Sequence, residues 1–493
     1  MPTIFCGIDL GTQGARCALV RDDGKLVGEA ERPLRQAPTG LPEGWSEQEP
    51  GAWLEAVAAA VGTALQQLNA APPFEDRVAA IGVTSTSGTL VALDAAHRPF
   101  IPAIMYNDSR SRAEAELVQA AGSATAARLG YAFNSSFGLP KVLWLKARRP
   151  EVYADAALFV SPTDFIIGWL TDAWGRSDQT NVLKFGYDLL EDRWPDFIRD
   201  ALGIDPALLP RVQESGALAG HLTRERAGQL GLPPRTPVVA GMTDGCASQV
   251  SSGAVAPGRW NTTLGTTMVI KGVSRDLLLD PLGRIYCHRH PAGWWLPGGA
   301  SNTGCECLAQ TFGPAETARR SASALDHAPT GLVAYPLVGR GERFPFLAPD
   351  AEGFLLGEPR DRDGLFVAYL EGIACLERLA YDTLGELGAG VGDGVFSAGG
   401  GSKSDAWLQI RADVLGRTVL RPALTGAAAG AAILAAGLQR YEGLEDAARA
   451  MVRIEKEVAP RPQFAAPYNE KFARFREECM GRGYLERPWA GKA

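Results

Sequence analysis

The sequence contains one short pattern twice: an apolar strand, a turn with a Gly-Thr pair, and a second apolar strand. The first copy covers Thr3–Val20 and the second covers Asn261–Ile270. A further run, Lys25–Ala30, follows the first copy and predicts three antiparallel strands at the start of the chain. Two strand–turn–strand units about half a chain apart predict two related α/β domains.

A carboxylate stands where the first strand gives way to its turn. Asp9 follows the apolar run, and the turn behind it holds Thr12, Gln13 and two glycines. An aspartate in this position commonly caps a turn. The alternative, which the residues leave open, is that Asp9 and its turn face a ligand.

A second carboxylate follows another predicted strand. Pro237–Ala240 is a short apolar run typical of a buried strand, and Asp244 comes within one turn of its end. In open α/β sheets, ligands bind at the carboxyl ends of the strands. The turn Gly265–Thr267 offers hydroxyl and backbone N–H donors that suit phosphate oxygens. An acid and a phosphate-type turn this close in sequence predict phosphoryl transfer.

A third glycine-rich turn, Gly399–Ser402, links a predicted strand, Val395–Ala398, to a predicted helix, Lys403–Leu415. Three glycines allow a flat ring to approach the backbone closely and permit positive φ. The helix start behind them favours a negatively charged partner. The sequence has no P-loop motif ending in Gly-Lys-Ser or Gly-Lys-Thr and no Gly-x-Ser-x-Gly motif. Phosphate binding through a P-loop and hydrolysis through a nucleophile elbow therefore lack support.

Composition narrows the class of protein. A length of 493 residues fits two or three domains, and 46% hydrophobic with 21% charged residues is typical of globular chains. A net charge of -7 without long single-sign runs argues against a nucleic-acid or acidic-membrane partner. The start of the chain has no signal-peptide pattern, and no apolar run approaches the ~20 residues of a membrane span. We therefore expect a cytoplasmic protein.

The cysteines are scattered along the chain, a pattern that predicts reduced, buried thiols. Two clusters, Cys287–His290 and Cys305–Cys307, could in principle supply four zinc ligands. Their spacing matches no familiar zinc module, so buried thiols are the favoured interpretation.

Four segments together resemble the FGGY carbohydrate kinases. They are GIDLGTQGARCALV near the start, GWSEQEP at Gly44–Pro50, the Asp244 segment with its LGTT, and FSAGGGSKSDAWLQIRADVLG at Phe396–Gly416. The likeness keeps the same order from residue 4 to about residue 437. It implies two ribonuclease-H-like domains of the actin, hexokinase and heat-shock ATPase superfamily with a cleft between them. Residues 1–250 would carry the sugar, Mg²⁺ and phosphate side, and residues 251–493 the adenine side.

The resemblance also implies roles for individual residues. Asp244 would be the general base that accepts a proton from a sugar hydroxyl, and Asp9 would hold Mg²⁺. ATP would be the phosphate donor. The nucleotide-binding residues would be Gly11, Thr12, Gln13, Gly265, Thr266, Thr267, Gly399, Gly400, Gly401 and Ser402. The sugar-binding residues would be Thr86, Ser87, Asn107 and Asp244.

The identity of the sugar stays open between two ketopentoses. The xylulokinases of the family usually carry Met and His where this chain has Thr86 and Ser87, and Gly245 stands where Asn or Gln is common. The overall layout and the segment Trp45–Gln48 nevertheless resemble xylulokinases. The segments Ser177–Asn181 and Lys184–Asp188 and the turn Gly299–Asn302 look more like D-ribulokinases. D-Xylulose and D-ribulose are therefore equal candidates, with glycerol or gluconate as alternative acceptors.

Two other classes of function remain. The same fold serves nucleotide-driven switches of the heat-shock type, but no peptide-binding appendage follows residue 440. The other is a pseudo-kinase that senses a sugar without turnover, because the residues predicted to contact the sugar differ from those usual in the family. A homodimer is left open by the sequence.

Overall fold

The computed structural model describes residues 3–34, 40–69 and 78–485. These residues divide into two compact units. The first unit runs to Val255 and adds His288–Leu296 and Leu424–Arg453; the second comprises Ala256–Cys287 and Pro297–Ala423 and resumes at Ile454. Within the described ranges, none of the helices combines the length and apolar character that a membrane crossing requires.

The elements up to residue 252 mix strands and helices throughout. The strands are β1 (Ile4–Leu10), β2 (Gly14–Arg21), β3 (Leu26–Pro33), β4 (Glu47–Gln48), β5 (Val78–Ser85), β6 (Val91–Leu93), β7 (Ala103–Ile104), β8 (Leu158–Val160), β9 (Arg176–Asp178), β10 (Arg211–Gln213), β11 (Leu218–His221), β12 (Pro237–Val239) and β13 (Met242–Thr243). The helices are α1 (Pro50–Asn69), α2 (Arg112–Ala121), α3 (Ser123–Leu129), α4 (Gly138–Arg148), α5 (Pro150–Asp155), α6 (Pro162–Thr171), α7 (Gln179–Val182), α8 (Phe197–Asp200), α9 (Arg224–Leu230) and α10 (Asp244–Ser252).

The remaining elements continue the α/β pattern. The strands are β14 (Trp260–Leu264), β15 (Met268–Gly272), β16 (Ile285–Arg289), β17 (Trp295–Ala300), β18 (Val333–Tyr335), β19 (Phe354–Leu356), β20 (Gly394–Ala398), β21 (Thr418–Pro422) and β22 (Ile454–Val458). The helices are α11 (Glu306–Ser323), α12 (Arg362–Glu386), α13 (Asp405–Leu415), α14 (Ala427–Gln439), α15 (Leu444–Met451) and α16 (Ala465–Gly481).

The main sheet of the first unit has the strand order β11-β12-β5-β1-β2-β3, and β13 pairs with β5 on the β12 side. Strands β1, β2 and β3 are antiparallel, as the sequence predicts. Strand β5 runs parallel to β1 and to β13. Thr84 of β5 lies opposite Asp9 on one side and Met242 on the other. This register brings two predicted site segments to one edge of the sheet.

Strand β1 is buried along its whole length because a helix covers each face. On one face, Ile8 shares a core with Trp53 and Val57 of α1. Helix α1 begins with Pro50 in its first turn, where a missing N–H costs nothing. On the other face lies α14, a helix rich in alanine and glycine.

The approach of α14 requires glycine at three places. A Cβ on Gly7 would overlap the carbonyl oxygen of Ala428, and one on Gly82 would overlap that of Ala431. On α14 itself, a Cβ on Gly430 would overlap the carbonyl oxygen of Ala247 in α10. The sequence does not predict that Leu424–Arg453 returns to the first unit. The assignment of the sugar and phosphate side to residues 1–250 and of the adenine side to residues 251–493 stays a prediction.

The second unit repeats the central motif of the first. Strand β14 pairs antiparallel with β15 and parallel with β20, as β1 does with β2 and β5. The order of the sheet is β16-β17-β15-β14-β20-β21-β22. One boundary differs from the prediction: the helix after the glycines begins at Asp405, because the Ser404 side chain accepts a bond from the Trp407 N–H and caps it there.

We predict that Gly7→Ala destabilises the protein by about 1–3 kcal/mol, because an added methyl group must push α14 away from the sheet. Unfolding in urea measures the change. The control is Gly62→Ala, a position in α1 with nothing within 4 Å of the new Cβ. The control should gain about 0.5–1 kcal/mol from helix propensity. Equal midpoints for Gly7→Ala and the unchanged protein would contradict the close packing.

Candidate active site

Asp9 is a buried carboxyl at the end of β1. Arg16 of β2 lies opposite it in the strand register, and Asp9 Oδ2 accepts a bond from Arg16 Nη1 at 3.2 Å. The same guanidinium reaches Glu31 Oε1 at 2.8 Å. Asp9 Oδ1 is buried and has no hydrogen-bond partner among the described residues. One oxygen of Asp9 is therefore fixed by a neighbour and the other is left without a donor.

The environment of Asp9 disfavours its charge. Burial and then the charge of Asp244 raise the pKa of Asp9 to about 7, against the opposing effect of Arg16. The two predicted acids therefore lie within electrostatic range of each other. A carboxyl whose pKa is raised by burial and by a second acid is typical of functional sites and of sites that take a cation.

The donor set at Asp9 fits Mg²⁺. This ion prefers oxygen ligands and keeps several waters beside one or two carboxylates. The described residues contain no cluster of three or more His, Cys, Asp or Glu side chains that could enclose a metal. The unpartnered Oδ1 of Asp9, with the charge of Asp244 nearby, suits an ion that is otherwise held by water and phosphate.

The turn after β1 is held by a backbone hydrogen bond of its own and by the side chain of Gln48. The Gly11 N–H donates to the Gly14 carbonyl at 2.9 Å, which closes the turn. Gln48 Nε2 donates to the Thr12 carbonyl at 2.8 Å, while Gln13 is exposed. Gln48 is itself oriented by the Trp53 indole N–H at 2.8 Å. Gln48 lies in the GWSEQEP segment, to which the sequence gives no individual role.

Asp244 is the first residue of α10. The two residues before it, Met242 and Thr243, form β13, the short strand that pairs with β5. Thr84 Oγ1 donates to the Met242 carbonyl at 2.7 Å, and the Gly245 N–H donates to Asp244 Oδ1 at 2.6 Å. The positive end of the helix favours an ionised carboxyl here. Asp244 is half-buried, which suits a group that must meet a substrate.

The predicted sugar-binding residues differ in exposure. Thr86 is buried, with its Oγ1 3.4 Å from Thr89 Oγ1. Ser87 follows the end of β5, and its Oγ is buried without a hydrogen-bond partner. Asn107 is exposed. The structure thus places Thr86 and Ser87 just beyond the carboxyl end of β5, and a sugar contact for Asn107 stays a prediction.

Residues next to Asn107 form a cluster without a counterpart among the predicted site residues. Arg110 lies over the Trp45 ring at 3.6 Å and pairs with Glu47 and Asp108, each at 2.7 Å. Asp108 Oδ2 also accepts the Ser46 N–H at 2.6 Å. The cluster joins the GWSEQEP segment to the Asn107–Arg110 segment. The helix α2 follows this cluster, with Ser111 at its N-cap position and no capping bond from the Ser111 side chain to the described residues.

Lys184 is a second feature without a predicted role. A Cβ on Gly88 would lie 2.8 Å from Lys184 Cδ, so the lysine stem borders the Ser87–Gly88 turn. The Lys184 ammonium is 5.8 Å from the centre of the Phe137 ring. Burial and then the charge of Lys184 lower the pKa of Lys141 to about 7. Positive charge therefore lies near Ser87.

In the second unit, the two predicted nucleotide-binding turns lie at the same end of the sheet. They follow β14 and β20, which are parallel neighbours. In the first turn, the Gly265 N–H donates to the Thr267 carbonyl at 3.0 Å, and Thr266 is exposed. The Gly265 carbonyl accepts the Cys305 N–H at 2.8 Å, so the start of α11 joins this turn.

The second of these turns depends on its glycines. Gly399 has φ of +84°, and a Cβ there would overlap the Leu264 carbonyl oxygen. A Cβ on Gly401 would lie 2.7 Å from a Trp407 ring carbon. Gly400 is exposed with open space beside it, and Ser402 Oγ donates to the Gly399 carbonyl at 2.7 Å. Gly400 is therefore the place in this turn where a flat ring could approach the backbone.

The cysteines are free and all but Cys305 are buried, as predicted. Cys287 Sγ donates to the Leu278 carbonyl at 3.4 Å, and Cys307 Sγ donates to the Gly304 carbonyl at 3.3 Å. Burial raises the pKa of both thiols to about 12. These two thiols are thus protonated and hydrogen-bonded within the protein.

Two further acids of the first unit, Asp164 and Asp178, are buried. Asp178 ends β9 and caps α7, and Asp164 completes a capping box with Ser161 at the start of α6. Burial and then the charge of Asp178 raise the pKa of Asp164 to about 7. Burial also raises the pKa of Asp178, against several hydrogen bonds that lower it.

Two sequence models of one protein family match this chain. The sequence model of the FGGY family of carbohydrate kinases, N-terminal domain, matches residues 4–251, and the C-terminal domain matches residues 281–437. The chain belongs to the FGGY family of carbohydrate kinases. Its members are phosphotransferases with the two-domain fold of the actin and hexokinase superfamily, and the predicted fold and enzyme class are confirmed.

Individual relatives cover almost the whole chain. It is 28% identical over 484 residues to a xylulose kinase of Bacillus subtilis (strain 168), covering 94% of each chain. It is 25% identical over 448 residues to a gluconokinase of the same strain, covering 86% of this chain and 85% of the relative. The crystal structure of xylulose kinase from Rhodospirillum rubrum superposes with a TM-score of 0.84 at 28% identity, covering 97% of this chain and 99% of that one.

We predict that the buried acid Asp164 makes the protein less stable at high pH. The pKa of an aspartate is about 3.9 when unfolded, and that of Asp164 is about 7 when folded. The folded state therefore binds an extra proton between these values, so the free energy of unfolding falls as pH rises from 4 to 7 and then levels off.

Melting temperatures at pH 5 and pH 8 test this prediction with Asp164→Asn. The amide keeps an acceptor for the Ser161 N–H and cannot ionise, so the variant should lose less stability between the two pH values. Asp200→Asn, which changes an exposed acid, is the control and should keep the full pH dependence. The same pH dependence in Asp164→Asn and the unchanged protein would show that Asp164 does not titrate in this range.

Proposed function

We propose that this sugar kinase transfers the γ-phosphate of ATP to the terminal hydroxyl of a ketopentose, D-xylulose or D-ribulose. The observation that carries the proposal is the pairing of Asp9 and Asp244 at one edge of a sheet, with one oxygen of Asp9 lacking any donor. The names of relatives such as the xylulose kinase of Bacillus subtilis support the ketopentose.

In the proposed mechanism, Asp244 accepts the proton of the acceptor hydroxyl. The hydroxyl oxygen forms a bond to the γ-phosphorus, the bond to the bridging β,γ-oxygen breaks, and ADP leaves. Such reactions depend mostly on positioning and charge neutralisation, so the base does not need a greatly raised pKa. Asp244 is the first residue of α10, and the positive end of a helix favours the ionised carboxyl that a base requires.

Asp9 would hold Mg²⁺ through water or directly, and the ion supplies charge neutralisation at the phosphate oxygens when bound. Thr12 and Gln13 are accessible at a turn fixed by Gln48, which suits phosphate binding. Thr266 and Thr267 offer hydroxyl groups at the equivalent turn of the second unit. Gly399–Ser402 would receive the adenosine, with Gly400 as the point of approach.

Ser87 and Thr86 would face the sugar, and Ser87 Oγ can offer a hydrogen bond because it has no partner in the part of the chain that the structure describes. The free, mostly buried thiols fit the proposed cytoplasmic location. A homodimer stays a prediction.

A second acceptor class has its own support. Lys184 places a cation beside the Ser87–Gly88 turn, and a cation favours an acceptor that carries a carboxylate. The name of a gluconokinase relative points in the same direction. A sugar acid is therefore the alternative acceptor.

We predict ADP release that requires a ketopentose. A coupled assay with D-xylulose, D-ribulose, glycerol and D-gluconate measures it, and the catalytic efficiency ranks the acceptors. Asp244→Asn should lower kcat by about 10³-fold, within the range for loss of a general base, and leave ATP affinity unchanged. Asp172→Asn, a change at the end of α6, is the control and should keep full activity.

Several results would contradict this function. Fastest turnover with gluconate would favour the sugar acid, and sugar binding without ADP release would favour a sensor. Retention of more than half the rate by Asp244→Asn would remove Asp244 from the role of base.

We also predict that Asp9→Asn weakens divalent-metal binding by at least about tenfold, as loss of a charged oxygen ligand should. Electron paramagnetic resonance of Mn²⁺ in the presence of ADP measures the affinity without turnover. Glu31→Gln is the matched control, because Glu31 pairs with the same Arg16 but its carboxyl is largely exposed. Equal Mn²⁺ affinities in the two variants would rule out Asp9 as the metal-holding residue.

A further inference from the structure

The residues that lead into Asp244 are held by a loop far away in sequence. The N–H of Thr243 donates to Thr180 Oγ1 at 2.9 Å, and Thr180 Oγ1 donates to Asp178 Oδ1 at 2.6 Å. Thr243, Thr180 and Asp178 are all buried. We propose that Thr180, oriented by Asp178, is a positioning residue that fixes the backbone from which Asp244 projects; the inference rests on the proposed role of Asp244 as base.

The directions of these two bonds follow from the chemistry of the groups. A backbone N–H can only donate, so Thr180 Oγ1 must accept from Thr243. The single proton of the hydroxyl is then available for the Asp178 carboxylate. Asp178 Oδ1 also accepts the Thr180 N–H at 2.8 Å, and Asp178 Oδ2 accepts Asn181 Nδ2 at 2.6 Å. The carboxylate thus fixes both the main chain and the side chain of Thr180.

Strand β13 needs this support because it is only two residues long. It pairs with β5 on one side, where Thr84 Oγ1 donates to the Met242 carbonyl at 2.7 Å. The Thr243 N–H would be a buried donor without a partner if Thr180 lacked its hydroxyl, at a cost of about 1–3 kcal/mol. Thr84 and Thr180 therefore hold the two residues before Asp244 from two different elements.

The consequence for the reaction is geometric. Asp244 is the next residue after Thr243, so a shift of the Thr243 peptide moves the carboxyl relative to the acceptor hydroxyl. A misplacement of about 1 Å can cost about 10²-fold in rate. Loss of the Thr180 hydroxyl should therefore appear in kcat, whereas nucleotide binding, which uses other residues, should be unaffected.

The chain supplies a matched control in Ser215. Its Oγ donates to the same Asp178 Oδ1, at 3.4 Å, whereas the hydrogen bonds of the described residues that hold Met242 and Thr243 come from Thr84 and Thr180. Removing the Ser215 hydroxyl disturbs Asp178 without disturbing the Thr180–Thr243 bond. A general destabilisation of the buried acid and a specific displacement of Asp244 can thus be told apart.

The experiment compares Thr180→Val, Thr180→Ser and Ser215→Ala in the full-length protein with ATP and the best acceptor. Thr180→Val keeps the shape of the side chain but cannot accept from Thr243; we expect kcat to fall about 10- to 100-fold, with the Kd for ATP unchanged. Thr180→Ser keeps the hydroxyl and should restore kcat to near the original value, as should Ser215→Ala. Melting temperatures show whether each variant is folded.

A kcat for Thr180→Val within threefold of the original would overturn the inference. So would equal losses of kcat in Thr180→Val and Ser215→Ala, because they would indicate a structural effect alone.

Amide hydrogen exchange of a peptide that spans Thr243 gives a readout that needs no turnover. Faster exchange in Thr180→Val than in Ser215→Ala supports the Thr180–Thr243 bond even if no acceptor is phosphorylated, a result that would remove only the proposed function. Equal exchange in the two variants would overturn the inference itself.

Discussion

The parallel pairing of β5 with β1 on one side and with β13 on the other is the constraint on which the candidate site depends. Thr84 of β5 lies opposite both Asp9 and Met242. The register of β5 with β1 and with β13 therefore places these two segments at the same end of the sheet. Neighbouring strands lie about 4.8 Å apart, so two segments on either side of one strand lie about 10 Å apart at the backbone. Burial and then the charge of Asp244 raise the pKa of Asp9, as expected for two acids that extend from those segments.

The two units share a strand–turn–strand motif, but the residue before the turn is an acid in one unit and a neutral residue in the other. Both strand turns read Leu-Gly-Thr, at Leu10–Thr12 and at Leu264–Thr266, yet the residue before the leucine is Asp9 in one and Thr263 in the other. Thr263 lies opposite Ala398 of the parallel strand, as Asp9 lies opposite Thr84. A carboxyl therefore precedes the turn in the first unit, and a hydroxyl precedes the turn in the second.

Local patterns in the sequence were sufficient to predict the hairpins, the strand that begins at Pro237 and the glycine-rich turn, because each depends on neighbouring residues, but they did not predict the two-residue strand β13. The partners that fix these segments could not be predicted in that way. Gln48 braces the Thr12 turn and Thr180 reaches Thr243 through contacts between residues 36 and 63 positions apart. Nor does periodicity reveal that α14 covers β1, since an alanine-rich helix carries no sign of the strand on which it packs.

The covering of β1 by α14 bears on how the chain acquires its structure during synthesis. The first unit includes residues up to Val255, but strand β1 lacks α14, one of its two covering helices, until Gln439 has been made. A nascent chain that has emerged only as far as β13 exposes the face of β1 that contains Gly7 and the neighbouring face of β5. Domains often fold in order from the N-terminus as they leave the ribosome. In this protein the core of the first unit is therefore complete only after most of the second unit has been translated.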